Sequence, residues 1–289
     1  MKVTNKFNLP EAFIRVVSED NYTKGEADIT ASEIGLPPRI FALKRQHEHE
    51  LEVDASELVK IMMGKAIHQV LEDANKDALV EERIYTRVLD WNVGGKFDRV
   101  SVFDAVLTDW KTSTVDAFRA KWREGFREWT IQLNIYVYLL RKNGYQVEKA
   151  RVILFLLDHS PSKARREEEY PQLAVQVLDF EIWPEEVTER FLNAQVQLFQ
   201  SALMRLPLCS DEDRWMRGGQ TAVKKEGRVR AVKLFASPAE AEEWLKRQSD
   251  AANLYLETRP KEFIRCLDFC PVRKFCKQWR DGIEEDKAA

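Results

Sequence analysis

Two hydrophobic periods run through the chain, one of strands and one of helices. An apolar stretch from Ala105 to Trp110 has strand length and ends on Asp109-Trp110-Lys111. Residues two apart on a strand share a face, so Asp109 and Lys111 project together while Val106, Thr108 and Trp110 point the other way. Short runs at Leu79–Tyr85, Val88–Val93 and Lys96–Val102, parted by polar or Gly-containing turns, predict a meander leading into it. The stretch from Gly94-Gly95-Lys96-Phe97-Asp98 to Asp109-Trp110-Lys111 reads as strand, turn, strand. Arg151–Asp158 and Leu173–Ile182 predict two further strands.

The helical period lies between and around these runs. Asp54-Ala55-Ser56-Glu57 has the form of a capping box. It opens a helix to about Asn75, with Leu58, Ile61, Met62, Ile67, Val70 and Leu71 as its apolar stripe. Phe118–Asn143 predicts one long helix stopped by Asn143-Gly144. Pro184 opens another that runs to about Arg205. Upstream, Ile29–Gly35 predicts a short helix ended by Gly35 and Pro37-Pro38. Arg39, Lys44 and Arg45 follow on a helix whose basic face either meets a phosphate backbone or is simply solvated. After Pro207 the character changes. Thr221–Phe235 predicts a hairpin turning at Glu226-Gly227, made basic by Lys224, Lys225, Arg228, Arg230 and Lys233. A basic ribbon of this kind suits a nucleic-acid backbone, and a solvated hairpin is the alternative. Ser237-Pro238-Ala239-Glu240 caps a helix that turns Ala241, Trp244 and Leu245 inward. The tail after Trp279 is charged, as frayed ends are. The expected organisation is an N-terminal helical segment over 1–53, a core over 54–206 and a C-terminal region over 207–289.

Composition narrows the partners. The 289 residues are 44% hydrophobic, enough for a sizeable core, and the net charge of −3 excludes a uniformly basic nucleic-acid coat. No apolar run approaches the length of a membrane span, and the first ten residues lack the apolar centre of a secretory signal, so a cytoplasmic location is expected. Of the 4 cysteines, Cys266, Cys270 and Cys276 cluster and Cys209 stands apart. In a cytosolic chain this pattern favours a four-thiolate metal site over disulfides, with free buried cysteines as the alternative.

The charged residues suggest a chemistry. A hard divalent cation takes carboxylate oxygens and water, which Asp98 and Asp109 would supply from neighbouring strands. Such a cation activates water against a phosphodiester, and Lys111 would orient that water and offset developing charge. An isolated Asp-x-Lys is more often a solvated strand end with a surface salt bridge. His68, four residues after Gly64 on the helix entering this sheet, is a candidate metal ligand; Gly64 would allow close backbone approach. Glu82 and its neighbour Glu81 are equally eligible to join the acidic cluster. Gln132 and Tyr136 share a helix face and would hydrogen-bond a phosphate or order the Lys111 side.

The ordered series Gly64-x-x-x-His68, Gly95-x-x-Asp98, Asp109-Trp110-Lys111 and Gln132-x-x-x-Tyr136 resembles the RecB-type branch of the PD-(D/E)XK nucleases, which includes CRISPR-associated adaptation exonucleases and phage recombination exonucleases. It covers roughly Ser32 to Asp158. The resemblance implies an α/β fold with a restriction-endonuclease-like core, a central mixed sheet flanked by helices, and a cysteine-ligated C-terminal appendage. It implies a Mg²⁺ or Mn²⁺ site at His68, Asp98 and Asp109, with Lys111, Gln132 and Tyr136 in the catalytic group. Several members bind a 4Fe–4S cluster through four cysteines, and Cys266, Cys270 and Cys276 resemble their C-terminal triplet. Here the first pair is separated by three residues, where two is commoner. The fourth thiol, Cys209, lies behind the core, not ahead of it. Zn²⁺ is the alternative occupant. The expected function is a metal-dependent DNA exonuclease of recombination, repair or phage DNA processing. Arg39, Lys224, Lys225, Arg228 and Arg230 would guide DNA, and a homo-oligomer or a recombination partner protein fits the same sequence. The alternatives are an inactive DNA-binding adaptor and an endonuclease of the same fold.

Overall fold

A computed structural model describes residues 2–19, 23–75 and 78–282; the last part of the charged tail, 283–289, lies outside the described residues. The chain forms two compact units, Met1–Ala42 with Glu48–Arg205 and Leu43–His47 with Leu206–Ala289. In the first the strands are β1 (Lys2–Thr4), β2 (Ile29–Thr30), β3 (Glu52–Asp54), β4 (Leu79–Val80), β5 (Arg83–Val88), β6 (Trp91–Lys96), β7 (Arg99–Ser101), β8 (Val106–Ser113), β9 (Lys149–Leu156) and β10 (Val175–Phe180). The helices are α1 (Glu11–Ser18), α2 (Ala31–Ile34), α3 (Pro38–Gln46, its end belonging to the second unit), α4 (Val59–Ala74), α5 (Val115–Arg123), α6 (Arg127–Lys142), α7 (Pro161–Ala164) and α8 (Glu185–Met204).

A five-stranded mixed sheet of order β10-β9-β8-β7-β4 is the frame. Only β8 and β9 are parallel neighbours, with Asp109 opposite Val152 and Lys111 opposite Leu154. Parallel strands need a crossover between them, and α5 and α6 provide it. Ala150, Val152, Leu154 and Leu156 alternate inward along β9 into one core with Leu133, Ile135, Leu139 and Leu140 of α6 and Leu192, Val196 and Phe199 of α8. Residues Leu107 to Trp110 of β8 are all buried, so both of its faces are covered just where the charges begin.

Five expectations change. The run from 79 to 102 is not one meander: β4 and β7 join the main sheet, while β5 and β6 form a separate three-stranded sheet with β2. Gly94 and Gly95 therefore lie inside β6, not in a turn. The helix expected from Phe118 to Asn143 breaks in two, because Gly125 and Phe126 take φ of 73° and 53°. The N-terminal segment is not purely helical; β1 pairs with β3 and β2 with β6, both in parallel. Finally, Ile61 and Val70 of the stripe expected on α4 are exposed.

In the second unit, β11 (Met216–Arg217) pairs with β15 (Glu262–Phe263), and β12 (Gln220–Lys225) lies between β13 (Lys233–Phe235) and β14 (Leu254–Arg259). The expected basic hairpin is thus two strands of a three-stranded sheet, with Ala222 and Val223 buried in its centre. Ser237 caps α9 (Pro238–Lys246) by accepting from the Glu240 N–H at 3.3 Å, and α10 (Lys277–Arg280) follows the last cysteine. Among the described residues, no helix is long and apolar enough to cross a membrane.

Asp54 fastens the helix that leads to the site. Its carboxylate accepts from the Lys6 N–H at 2.9 Å, the Thr4 hydroxyl at 3.0 Å and the Ser56 N–H at 3.1 Å, at the head of the 3-10 turn that opens α4. The Lys6 and Ser56 bonds hold its pKa at about 2, below the ordinary 3.8. A depressed carboxylate stabilises the fold fully above its unfolded-state pKa and ceases to do so as pH falls through the folded value. Asp54→Ala should therefore lower the urea midpoint at neutral pH, and the wild-type advantage should shrink between about pH 3.8 and 2. An advantage that is constant over that range contradicts the assignment.

Candidate functional site

The site is built around the backbone of one residue, Trp110. Asp98, in the turn between β6 and β7, accepts the Trp110 N–H through Oδ2 at 2.6 Å. On the other side of the same residue, Nε2 of His68 on α4 lies 2.9 Å from the Trp110 carbonyl oxygen. The imidazole stands edge-on to the Trp110 ring at 5.7 Å. Its other nitrogen, Nδ1, lies 3.5 Å from Asp98 Oδ1 and 3.5 Å from Glu81 Oε1. The residues flanking Trp110 carry the remaining charges: Asp109, 2% exposed, and Lys111, whose Nζ is 2.7 Å from Asp109 Oδ2.

The approach to Asp98 is fixed from α6. Tyr136 donates its hydroxyl to the Lys96 carbonyl at 3.0 Å and accepts from Gln132 Nε2 at 3.1 Å. A Cβ on Gly95 would lie 2.5 Å from Tyr136 Cε1, so glycine is required there by the ring. The two glutamine–tyrosine helix residues therefore meet the backbone two positions before Asp98. Their hydrogen bonds hold the strand end that leads to Asp98. Gly64 is different: a Cβ there would meet Thr112 Oγ1 at an ordinary 3.5 Å, so close approach does not demand glycine.

Glu81 is the residue that sequence reasoning left undecided against Glu82. Glu82 is exposed, whereas Glu81 turns inward through a left-handed φ of 52°. That conformation costs a non-glycine residue on the order of 1 kcal/mol. It is held by the Glu81 N–H donating to the Asp98 carbonyl at 3.1 Å, and by an ion pair to Lys96. Nothing in the local sequence separates Glu81 from Glu82. The bend between β4 and β5 makes the choice.

Crowding of charge sets the electrostatics. Burial, and then the neighbouring Asp109 carboxylate, push the Asp98 pKa up to about 7. Burial alone would depress the imidazolium of His68, but Glu81, Asp98 and the Trp110 carbonyl outweigh it and hold its pKa above the ordinary value. Burial likewise opposes the Lys111 ammonium, and Asp109 and Asp98 reverse the sign. Ligand atoms of His68, Glu81 and Asp98 all lie within 4.8 Å of one another, with Asp98 and Glu81 offering the hard oxygens a divalent cation takes. Oε1 of Glu81 is buried without a hydrogen bond of good geometry, as expected of a donor atom reserved for a cation.

The residues expected to guide DNA fare differently. Arg39 is buried, so it does not present its guanidinium to a nucleic-acid backbone. Lys224 pairs with Glu257 at 3.0 Å and Lys225 with Asp250 at 2.8 Å, which neutralises both. Arg228 and Arg230 stand exposed in the loop between β12 and β13.

All four cysteines belong to the second unit, and none forms a disulfide among the described residues. Cys266 lies in a π-helical turn, Arg265–Phe269; Cys270 and Cys276 bracket the next short turn. The three are near enough that charge on one disfavours charge on another. The buried Gln278 side chain clamps Cys209 by accepting its N–H and donating to its carbonyl, both at 2.8 Å. Cys209 is thereby held to the segment two residues beyond Cys276.

A family model described as the PD-(D/E)XK nuclease superfamily matches residues 74–277. The chain belongs to that superfamily and is a nuclease. The matched span contains Asp98, Asp109, Lys111, Gln132, Tyr136 and the four cysteines, while His68 precedes it. Among solved structures, the chain is similar to SSO0001, with 18% identity, coverage of 64% of this chain and 84% of that one, and a TM-score of 0.45. It is similar to a phage related exonuclease from Haemophilus somnus 129PT, with 14% identity, 62% and 96% coverage and a TM-score of 0.35. It is also similar to an alkaline exonuclease, LHK-Exo, from Laribacter hongkongensis, with 12% identity, 61% and 90% coverage and a TM-score of 0.37. No curated protein sequence matches the chain.

Gly95→Ala should destabilise the protein by about 1–3 kcal/mol, because the new methyl overpacks the Tyr136 ring. In a Tyr136→Ala background the same substitution should cost much less. Additive losses in the double variant would show that the ring is not what demands glycine.

Proposed function

We propose that this nuclease is a divalent-metal-dependent DNA exonuclease of the RecB-type branch, acting in recombination, repair or phage DNA processing. The observation that carries the reading is the Trp110 backbone held between Asp98 and His68, which sets two buried carboxylates beside the Lys111 ammonium. His68, Asp98 and Asp109 would hold Mg²⁺ or Mn²⁺, and the position of Glu81 adds it to that set. A divalent cation there supplies Lewis acidity toward the scissile phosphate and an adjacent water.

Lys111 has a separate duty. Its carboxylate neighbours keep it an ammonium, so it acts by charge and hydrogen bonding, not as a base. It orients the water and offsets charge building on the phosphate. Gln132 and Tyr136 hold the strand that delivers Asp98. Arg228 and Arg230 are left as the exposed cations of the basic loop toward a DNA backbone. Preference for free ends over internal sites rests on the motif resemblance.

The four cysteines would hold a 4Fe–4S cluster, or Zn²⁺. The donor set is four thiols, and the Gln278 clamp supports the membership of Cys209 despite its distance in sequence. In this reading the centre closes the second unit on itself.

With Mn²⁺ or Mg²⁺, wild-type protein purified without oxygen should degrade end-labelled linear DNA and spare covalently closed circles. Lys111→Ala and Asp109→Ala should each lose at least about 10²-fold in rate. Cutting of closed circles moves the reading to an endonuclease, and folded wild-type protein with no cleavage on any strand form moves it to a DNA-binding adaptor. Broad visible absorption from the same sample assigns iron–sulfur over zinc.

A further inference from the structure

We propose that Trp122, at the end of α5, is a base-stacking platform for a single strand of DNA that reaches the candidate site, with Arg119 and Arg123 beside it for the phosphates. The proposal deepens the reading of that site as one acting on DNA, and rests on it.

The strand that carries Lys111 leads straight into α5, which begins four residues later. The first turn of α5 is fixed from two sides. Thr114 accepts the Ala117 N–H at 3.3 Å, and Asp158, just past β9, accepts the Val115 N–H at 2.7 Å. The helix therefore stands at the carboxyl ends of the parallel pair β8 and β9, where open α/β sheets place their ligands. Its apolar stripe outruns the core beneath it. Val115, Phe118 and Trp122 share one face at helical spacing, and they are 4%, 6% and 59% exposed. An indole left mostly in water forgoes much of the burial that makes tryptophan favourable in a core.

The ring is exposed but braced. Phe118 and Phe126 each meet it at 5.7 Å, at 62° and 89°. Phe126 stacks in turn on the buried Trp129 at 5.0 Å and 13°. It does so from a left-handed φ of 53°, a conformation that persists in a bulky residue only where its surroundings enforce it. Both braces meet the indole steeply. Among the described residues no ring lies parallel to it and no cation lies over it, so a π face stays open.

The charge beside that face has the sign a phosphate backbone requires. Arg119 and Arg123 stand three residues before Trp122 and one after it, on the neighbouring strip of the helix. Arg123 is exposed, and among the described residues no carboxylate pairs with it. Arg119 meets Glu169 at 3.8 Å, with that carboxylate 92% exposed, a pair of little strength. Lys121, on the far side of the helix, is already paired with Glu128 at 2.8 Å. The acids of this segment, Asp116 and Glu124, lie in the first turn and at the C-cap. An aromatic plane for the base with cations for the phosphates is how unpaired strands are bound. A second copy of the chain, or an apolar peptide, would cover the ring with no use for the arginines. Bases inside a duplex are stacked on one another, so the platform selects an unpaired strand.

The test uses the full chain carrying Lys111→Ala, so that bound strands are not cut. This parent is compared with the same protein bearing Trp122→Leu, Trp122→Phe or Arg123→Gln. The probes are a labelled single-stranded oligothymidylate and a blunt duplex, read by fluorescence anisotropy. Trp122→Leu keeps apolar bulk without a stacking plane, and should weaken single-strand binding about 5- to 100-fold. Trp122→Phe should retain most of the affinity, and neither change at Trp122 should alter binding of the duplex. Arg123→Gln should flatten the slope of log K against log salt on the single strand by about 0.7, the share of one phosphate contact. Single-strand binding by Trp122→Leu at the parent's level, or an equal loss on the duplex, overturns the platform. So does a dimer of the parent that Trp122→Leu dissolves, since a second copy is then what covers the ring. A parent that binds neither probe overturns the DNA reading of the site, and the proposal with it; the parent's own binding tells these failures apart.

Discussion

Much of the first unit's arrangement serves to keep the backbone of one residue, Trp110, in place. The Trp110 N–H and carbonyl would ordinarily be ladder groups, yet they meet a carboxylate and an imidazole from two other elements. A hydrogen bond to a charged group is among the stronger ones a buried backbone can make. It also turns a strand into a ruler. Once Trp110 is fixed, Asp109 and Lys111 are fixed on either side of it, and β8 gains its rigidity from β9 and from α6 behind it.

The same clasp concentrates charge that the fold alone does not need. Asp98, Asp109, Glu81, His68, Lys96 and Lys111 are drawn together around two buried carboxylates, and burial and the Asp109 charge drive Asp98 to about 7. A core of stability alone would replace such groups with hydrocarbon. Perturbed groups gathered around candidate ligand atoms are a physical signature of chemistry. The left-handed backbone at Glu81 points the same way, since strain of that kind persists where surrounding structure enforces it.

Sequence and structure agree where the signals are local. β8, β9 and α8, and the Ser237 and Asp54 caps, follow from period and capping chemistry within a few residues. They part where a distant residue decides. Gly95 reads as a turn former, but it sits mid-strand because a ring on α6 occupies the space of its Cβ. Lys224 and Lys225 read as a basic ribbon until Glu257 on β14 and Asp250 pair with them. Arg39 sits on a basic helix yet is buried. Helical period runs through Glu124-Gly125, so the break between α5 and α6 is hidden by good helix formers on both sides. At the candidate site, Asp109 and Lys111 were legible together from strand alternation alone, and His68 and Asp98 from spacing. The roles of Glu81 and of the Trp110 backbone emerge only from packing.

The central claim is that these groups form a seat for a divalent cation, with Asp98 at its middle. The most direct test is a titration of the purified, metal-stripped protein with Mn²⁺, followed by the paramagnetic signal of the free ion, for wild type and Asp98→Asn. Saturable binding by wild type that weakens at least about 10-fold in Asp98→Asn, with the fold intact, is the predicted result. Equal binding by both proteins, or none by either, would contradict it.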